Sequence, residues 1–484
     1  MSSIDANPAG PAIVWFRNDL RLSDNPALSA AISSGKPVLA VYIYDPDAAG
    51  LWARGGASKW WLHQSLESLD QTLRQFGGRL VLKSGDSGKI IRSLIQDTGA
   101  TSVLWNRRYE PWAIKQDKAI KEALQASNIE VKSFNGSLLV EPWAIANKQG
   151  LPFRVFTPFW KTLQAHHEPE RPLGSPSKIA FFEFDEGSTL DELDLLPQKP
   201  DWAGGLRQTW TVGEPAARDR LARFIDTAIT GYKDDRNLPG VEATSRLSPH
   251  LHFGEISPRQ VWHAVKSSAA AEGADAHHFL SEIAWREFSY SLLFNFPGLP
   301  DTNFQDKFDR FEWRDDPAGF ERWSKGLTGF PIVDAGMREL WHTGWMHNRV
   351  RMIVASFLTK DLMIDWRLGK AWFWDTLVDA DLANNAASWQ WTAGSGADAA
   401  PYFRVFNPTT QAQKFDPKGA YVKKWVPELR DMPDNLVHDP EKAGGLILSN
   451  AKIDLGQTYP EPIVDHAQAR LRALDAFATL KEAQ

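Results

Sequence analysis

The sequence of 484 residues contains no cysteine. This absence excludes disulfide bonds, cysteine zinc sites, thiol nucleophiles and cysteine-ligated iron–sulfur clusters. Long hydrophobic runs are also missing, since the longest apolar run is 38–44 and a membrane span needs roughly 18 residues or more. The opening residues MSSIDANPAG lack the basic and apolar regions of a secretory signal. We therefore expect a cytoplasmic protein without a membrane span.

An excess of positive charge is missing as well. The chain has 54 basic against 60 acidic residues, a net charge of −6. No global positive field therefore indicates a polyanionic partner, and any nucleic-acid surface must be a local patch. Neither a GxGxxG fingerprint nor a Walker loop occurs, which argues against a standard dinucleotide site or P-loop.

Tryptophan, by contrast, is abundant. The chain has 22 tryptophans, and seven of them lie between residues 341 and 391. One interpretation is a large helical core rich in aromatic residues. The other is a cofactor or base-stacking site with redox-active indoles.

Two patterns divide the chain. Short β-rich runs at 12–16, 37–44, 79–83, 102–106 and 130–134 alternate with helix-like stretches, which predicts a doubly wound parallel sheet. Ligands of such sheets bind beyond the carboxyl ends of the strands. Helical signals dominate from residue 213 onward. We therefore predict an α/β domain over 1–135, a proline-rich connector over 136–210 and a larger all-α domain over 211–484.

The first candidate binding segment of the helical half is rich in hydroxyl groups. In TSRLSPHLHFGEISP, Thr244, Ser245 and Ser248 could donate hydrogen bonds to a diphosphate. Tyr232 and Arg236 lie shortly before this segment. The alternative is that the serines only cap helices.

Polar groups also occur on otherwise apolar helices. Glu282 and Trp285 share one face of a predicted helix, which suits hydrogen bonding to the edge of a heterocycle and stacking on its face. An interface helix with an incidental glutamate is the alternative. Arg351, if buried, needs an acidic partner, and Asp379 is a candidate.

The segment 365–391 combines carboxylates, amides and indoles. Asp379 and Asp381 have the spacing of a metal pair, but no third ligand lies at ligand spacing, so we expect no metal. Further on, Arg404 and Lys414 lie among aromatic residues, a pattern typical of nucleic-acid surfaces. A solvated basic face is the alternative.

Six motifs together resemble the photolyase/cryptochrome flavoprotein family. They are IVWFRNDLRLSDNPAL, TSRLSPHLHFG, EIAWREF, TGFPIVDAGMREL, WMHNRVRM and DADLANNAASWQWTAGSGADAAPYFRVFNPTTQ, in that order over essentially the whole chain. The resemblance implies an antenna-binding α/β domain and a helical domain that binds FAD beside a substrate cavity.

Functional residues follow from the same motifs. The resemblance implies that the FAD phosphates are bound by Tyr232, Thr244, Ser245, Arg246, Leu247 and Ser248. It places three side chains around the isoalloxazine and ribityl groups, namely Arg351, Asp379 and Asp381, with Asn385 opposite flavin N5. Electron hopping from flavin to surface is implied for Trp389, Trp366 and Trp313.

Lesion and DNA contacts are implied in the same way. The pocket positions of dimer photolyases match Glu282, Trp285, Asn348, Arg349, Met352 and Trp391. We expect Arg236, Arg404 and Lys414 to add to the surface for UV-damaged DNA. Two indoles would then stack on a flipped-out pair of bases, the recognition mode that photolyases share with other base-flipping enzymes.

The branch of the family is indicated by two positions. Plant-type cryptochromes carry aspartate at the position of Asn385, and the (6-4) branch has a histidine pair in the region of Asn348 and Met352. We therefore expect a deoxyribodipyrimidine photo-lyase that repairs cyclobutane pyrimidine dimers. The alternatives are a cryptochrome-type blue-light receptor without repair and a (6-4) photolyase. We expect a monomer.

An antenna chromophore is the last expectation. The stretch around Trp60 and Trp61 and the loop 106–110 resemble folate-using relatives, so we expect methenyltetrahydrofolate, with deazaflavin as the alternative. Trp60 or Trp61 would stack on the pterin and Glu110 would accept its hydrogen bonds. Alternatively, both tryptophans only pack their helix against the sheet.

Overall fold

A parallel sheet forms the N-terminal part of the computed structural model, which describes residues 10–399 and 403–482. Its strands are β1 (Ala12–Phe16), β2 (Val38–Tyr44), β3 (Val81–Ser84), β4 (Ser102–Asn106) and β5 (Glu130–Phe134). They lie in the order β3-β2-β1-β4-β5 with every neighbouring pair parallel. The order reverses direction at β1, which creates a crevice at the carboxyl ends of β1 and β4.

Both faces of the sheet are buried. Alternate residues of a strand point to opposite faces, and in β1 Ile13 and Trp15 pack into one core cluster while Val14 and Phe16 pack into another. The second cluster also contains Trp345 of the helical part. This two-sided burial explains why the strands read as continuous apolar runs.

Helices cover the sheet and form the connector. Those of the α/β part are α1 (Pro26–Ser33), α2 (Gly56–Gln75), α3 (Ser87–Thr98) and α4 (Pro111–Ala126). The connector contains α5 (Phe156–His166) and α6 (Gly204–Thr209). Helices α5 and α6 pack into hydrophobic core clusters that also contain residues of the α/β part and the helical part. The domain boundaries at residues 135 and 210 therefore stay predictions.

The remainder of the described chain is mostly helical. Its α-helices are α7 (Glu214–Thr227), α8 (Tyr232–Asp235), α9 (Ser248–His252), α10 (Pro258–Lys266), α11 (Ala274–Asn295), α12 (Pro317–Ser324), α13 (Pro331–Thr343), α14 (Asn348–Ser356), α15 (Trp366–Thr376), α16 (Leu382–Ala393), α17 (Pro408–Phe415), α18 (Ala420–Trp425), α19 (Gly445–Asn450) and α20 (His466–Glu482). A π-helical turn, Phe357–Asp361, follows α14. The predicted α/β plus all-α fold is confirmed. Across residues 10–399 and 403–482, none of the helices could cross a membrane.

Arg21 joins the α/β part to the helical part. Its side chain is fully buried and donates hydrogen bonds to main-chain carbonyl oxygens on three segments, among them Asp24 (2.6 Å), Gly136 (2.7 Å) and Gly254 (2.8 Å). Glu214, at the start of α7, accepts from the main-chain N–H of Leu22 at 2.7 Å. The loop after β1 is therefore bound directly to the helical part, and the sheet's carboxyl edge faces that part.

We expect Gly254→Ala to destabilise the protein by more than about 2 kcal/mol, because a β-carbon would add both strain and overlap. Gly254 has φ +66°, and its added Cβ would lie 2.1 Å from the carbonyl oxygen of Asn18. Urea unfolding monitored by circular dichroism measures the loss. Gly204→Ala is the matched control, since nothing lies within 4 Å of its Cβ position. Equal stability of the two variants would contradict this account of the junction.

Candidate functional site

The predicted phosphate-binding segment, residues 244–248, leads into α9. Arg246 adopts φ +50°, a left-handed conformation that is uncommon for non-glycine residues, and its guanidinium lies 4.6 Å from the ring centroid of Trp345. Leu247 is buried, Thr244 and Ser245 are half-buried, and Ser248 is exposed. The hydroxyl groups of the segment are thus accessible, while Leu247 anchors it.

Tyr232 lies on α8 near this segment. Its ring is buried edge-on against Phe224 and Phe279, and burial raises the pKa of its phenol above the usual range. The hydroxyl therefore stays a neutral group that can donate. The Arg236 guanidinium lies 5.5 Å from the Tyr232 ring centroid.

Arg351 and Asp379 form the predicted pair. The Nη2 of Arg351 donates to both carboxylate oxygens of Asp379, at 2.8 and 3.1 Å. Its Nε donates to the Met346 carbonyl oxygen at 2.8 Å. Because α14 carries Arg351 and Asp379 precedes α16, this pair fixes the two helices at the site.

Asp381 caps α16 and lies in a hydrogen-bonded network. It accepts from the Asn384 side chain at 2.7 Å and from the Tyr290 hydroxyl, and His252 Nδ1 lies 3.4 Å from it. Burial opposes ionisation of Asp381, but the contacts with His252, Arg286 and Tyr290 outweigh it and hold its pKa below the usual range. The sequence analysis missed Tyr290 and His252, which lie 91 and 129 residues away along the chain.

His347 marks the centre of a positively charged region. Its imidazole is buried, and burial together with the charges of nearby arginines lowers its pKa to about 3. These arginines are Arg246, Arg236, Arg349 and Arg351. The imidazole is therefore neutral at pH 7, and four guanidiniums lie close enough to act on it electrostatically.

The residues of this region fit an anionic cofactor such as FAD. Arg351 and Arg236 have carboxylate partners, but in the described part of the chain Arg246 and Arg349 form no ion pair. The buried Nε of Arg349 and Nε2 of His347 also have no hydrogen-bond partner. Arg246 and Arg349 are half-buried. Since charge that is partly removed from water is favoured by a compensating charge, a diphosphate and an anionic ring system would complete the region.

Asn385 and Trp389 lie on α16, Trp366 begins α15, and Trp313 lies in the segment before α12. The Asn385 amide is buried and donates to the carbonyl oxygen of Lys370 at 3.1 Å. Trp389 is 2% exposed and Trp366 0%. A Cβ on Gly369, in α15, would lie 2.2 Å from the Trp389 ring, so the lack of a side chain at Gly369 allows this indole to reach α15.

Trp313 is the outer member of the predicted electron path. It is half-buried and packs against the core cluster that contains Trp366 and Trp389. Its ring centroid lies 4.5 Å from that of Phe311. Trp389 and Trp366 are thus buried in α16 and α15 and Trp313 lies nearer the surface, while an electron path through the three indoles stays a prediction.

Glu282 and Trp285 share one side of α11. The carboxylate of Glu282 accepts from Arg236 at 2.5 Å, and the same guanidinium lies 2.6 Å from His278 Nε2. Trp285 is half-buried, and its carbonyl oxygen accepts from the Ser289 hydroxyl at 3.0 Å. The predicted pairing of a carboxylate with an indole is therefore present, together with an arginine and a histidine.

Asn348, Arg349 and Met352 lie at the start of α14. Arg349 donates to Asn237 at 2.6 Å and to the Met352 sulfur at 3.8 Å, and its guanidinium lies 4.4 Å from the Phe415 centroid. Asn348 is exposed. Burial lowers the pKa of Arg349, and the charges of Arg236 and Arg404 lower it further. The structure therefore brings these residues to the region of Arg236.

The remaining predicted DNA contacts lie further out. Arg404 and Lys414 are exposed, while Trp391 on α16 is half-buried. The Arg404 guanidinium lies 5.0 Å from the Phe406 ring centroid, which agrees with a basic surface supported by aromatic rings.

Trp60 and Trp61 are core residues, which corrects the expectation that either one stacks on an antenna. They are 2% and 0% exposed. Trp61 donates to Glu255 at 3.0 Å and packs against Trp210 and Phe253. With neither ring face free, the alternative interpretation, packing of α2, describes both residues.

Glu110 lies elsewhere, in a cleft at the carboxyl edge of the sheet. The wall from the helical part includes His252, Trp374 and Leu382. The cleft is also lined by four residues that the sequence analysis did not select, Trp15, Trp52, Arg108 and Trp112. Trp15 lies in β1, Trp52 precedes α2, and Arg108 and Trp112 lie around the start of α4. No single local sequence pattern connects these segments, and only the rule that ligands bind beyond strand ends predicts their meeting.

Comparisons with known proteins agree with this geometry. The family model "DNA photolyase" matches residues 12–177, and "FAD binding domain of DNA photolyase" matches residues 279–479. The deoxyribodipyrimidine photo-lyase of Agrobacterium fabrum is 53% identical over 474 residues, 98% of each chain. The chain belongs to the photolyase/cryptochrome family.

Two further relatives are informative about the branch. A bacterial class III photolyase from Agrobacterium tumefaciens superposes with a TM-score of 0.96 at 53% identity, covering 99% of this chain and 100% of the relative. Cryptochrome-1 of Arabidopsis thaliana is 40% identical over 484 residues, 96% of this chain and 70% of its own length. The predicted family and photo-lyase class are confirmed, and the FAD-binding domain supports the predicted cofactor.

We expect His347→Asn to weaken the acid sensitivity of this photolyase-family protein. In the wild type the folded pKa of His347 is about 3 against 6.5 ordinarily, so the unfolded chain binds more protons between these values and stability falls as pH drops from 6.5 to 3. Asparagine retains helix capping, since His347 accepts from the Arg349 N–H. Urea unfolding at equal cofactor content, from pH 4 to 8, measures the difference. Parallel pH profiles for the two proteins would contradict the assignment.

Proposed function

We propose that this protein uses light absorbed by bound FAD to repair cyclobutane pyrimidine dimers in DNA. The observation that carries the proposal is the joint placement of Glu282 and Trp285 on α11, beside an arginine-rich region that fits FAD. A carboxylate accepts hydrogen bonds from the edge of a thymine, and an indole stacks on its face. The identity to deoxyribodipyrimidine photo-lyases supports the same reaction.

The cofactor would be held by the residues that the resemblance selected. Tyr232, Thr244, Ser245, Arg246, Leu247 and Ser248 would hold the phosphates, and Arg351, Asp379 and Asp381 the rest of the molecule. Bound FAD supplies light-driven electron transfer to the dimer, chemistry that no side chain offers. The protein's part is to bind, to orient and to exclude water.

Each side chain of the pocket then has a defined task. Trp285 and Trp391 would stack on the two flipped bases, while Glu282 would form hydrogen bonds to the edges of these bases. Asn385 would present a neutral amide to the flavin, held in place by its hydrogen bond to the Lys370 carbonyl oxygen. Arg236, Arg349, Arg404 and Lys414 would bind phosphates and add salt-dependent affinity.

A cryptochrome-type blue-light receptor is the second candidate. The 40% identity to Arabidopsis cryptochrome-1 favours it, whereas the amide of Asn385 favours repair. A (6-4) photolyase would act on a different photoproduct with the same fold. The three candidates differ in what light does to damaged DNA.

We expect blue light to remove cyclobutane dimers, but not (6-4) products, from irradiated DNA mixed with the FAD-loaded, chemically reduced protein. Dimer content is measured after light and after a dark control. Trp285→Ala should raise the Kd for dimer-containing DNA roughly tenfold, because base–aromatic stacking contributes ~1–3 kcal/mol. Trp143→Ala, at an exposed indole on the connector, is the matched control. Full FAD content without dimer loss would instead support the receptor function.

The tryptophan path leads to a separate expectation. In Trp389→Phe, light-driven reduction of oxidised FAD should slow severely, while repair by chemically reduced protein should persist. Flash absorption measurements at equal FAD content give the rate. Trp160→Phe, in the connector helix α5, is the control. Unchanged photoreduction in Trp389→Phe would mean that electrons enter by another route.

The antenna is proposed for the cleft at the sheet edge, with Glu110 as the predicted contact. Arg108 lies 4.2 Å from the Trp112 ring centroid, its buried Nε has no partner, and burial beside Arg17 lowers its pKa to about 10. An unpaired guanidinium between indoles fits a planar ligand with carboxylate groups. A reduced folate has that chemistry, and aromatic rings with a few polar groups are the usual lining of a small-molecule site.

We expect methenyltetrahydrofolate to restore near-ultraviolet absorbance beyond that of FAD, and Trp112→Ala to abolish this gain. The reason is that Trp112 lines the cleft whereas Trp60 is buried, so Trp60→Phe, the control, should keep it. Absorbance of the washed protein after incubation with each pterin or deazaflavin is the measurement. If only deazaflavin or nothing binds, the folate proposal is wrong and the repair proposal is unaffected.

A further inference from the structure

The connector covers one face of the Trp285 indole. Phe156, the first residue of α5, lies parallel to this ring, with a centroid separation of 3.7 Å and an interplanar angle of 9°. Phe156 is 8% exposed. The covered face cannot stack on a base, so Trp285 has one face left for a ligand.

Phe156 is itself held from two directions. The edge of the Phe288 ring contacts both rings of the pair, with centroids 6.0 Å from Phe156 and 5.8 Å from Trp285. The main-chain N–H of Phe156 donates to Oδ2 of Asp398 at 3.2 Å. Asp398 follows α16, the helix that carries Trp391, so one residue contacts the Trp285 wall and the segment after the Trp391 helix.

The stacking geometry points to a constraint from the surrounding chain. Free aromatic pairs prefer offset or edge-on arrangements to direct overlap, and Phe159, one turn further along α5, shows such a tilted contact with Phe288 at 5.4 Å. The near-parallel, overlapping pair therefore requires that the backbone of Phe156 is fixed. Its hydrogen bond to Asp398 provides that fixation.

We propose that Phe156 is a positioning residue for lesion binding, which holds the Trp285 indole in the orientation that a flipped base stacks on. This inference rests on the proposed function. Phe156 does not touch the lesion, because Trp285 lies between them. The connector is thereby part of substrate recognition, although it contributes no residue to the pocket surface that the family motifs define.

The test compares variants in the full-length, FAD-loaded protein. Phe156→Leu keeps apolar bulk but removes the flat ring, and Phe156→Tyr keeps the ring. Phe159→Leu is the matched control, since Phe159 is fully buried in the same helix and packs on Phe153 and Phe288. Thermal stability and FAD content show whether each variant is folded.

Two readouts decide the outcome. The first is the ratio of dissociation constants for dimer-containing and undamaged DNA at one salt concentration. We expect Phe156→Leu to reduce this preference roughly three- to tenfold, a part of the ~1–3 kcal/mol of base stacking, with turnover at saturating DNA unchanged. Phe156→Tyr should retain the wild-type preference, and so should Phe159→Leu.

The second readout needs no DNA. Protein labelled with 5-fluorotryptophan gives a ¹⁹F resonance for Trp285 that is assigned by its loss in Trp285→Phe. We expect this resonance to shift and broaden in Phe156→Leu and to stay in place in Phe159→Leu, because of these two residues it is Phe156 that lies over the indole. An unchanged resonance in Phe156→Leu, or an equal loss of preference in both leucine variants, overturns the inference. A wild type without preference for dimers overturns the proposed function instead, while the resonance still decides the position of Trp285.

Discussion

The fully buried side chain of Arg21 is the contact on which the arrangement of the two main parts depends. Its guanidinium is satisfied by carbonyl oxygens from the loop after β1, from the start of the connector and from the turn after α9. A buried arginine without such partners would be costly, so these segments must meet. As a result the sheet's carboxyl edge faces α9 and α16, and a cleft forms between them.

In the helical part, some arginine side chains have no acidic partner among the described residues. Four arginines help to lower the pKa of a neutral buried histidine, but in the described part of the chain only two of them have carboxylate partners. Charge that is partly removed from water is favoured by a compensating charge, and the half-buried arginines fit an anionic occupant. Asp379 neutralises one of the four, Arg351, whereas Asp381 is engaged by Tyr290 and its other partners.

The tryptophan rings of the protein differ in how far they are buried, and their roles differ accordingly. Trp60 and Trp61 fill the space under α2, whereas Trp112 and Trp374 line the cleft. Trp285 lies in between, since one face packs on Phe156 and the other is left for a ligand. Tryptophan count alone therefore did not indicate function, and each ring's uncovered face decides its role.

The sequence by itself determined the fold class, the family and the pairs of residues that share one face of a helix. Strand periodicity predicted the sheet because buried strands must be apolar on both faces, and helical spacing brought Glu282 and Trp285 together. Only the tertiary structure decided the cleft at the sheet edge, the supports of Asp381 and the contact of Phe156 with Trp285. These contacts join residues from distant segments, and the spacing of residues along the chain carries information only about neighbours on the same helix or strand.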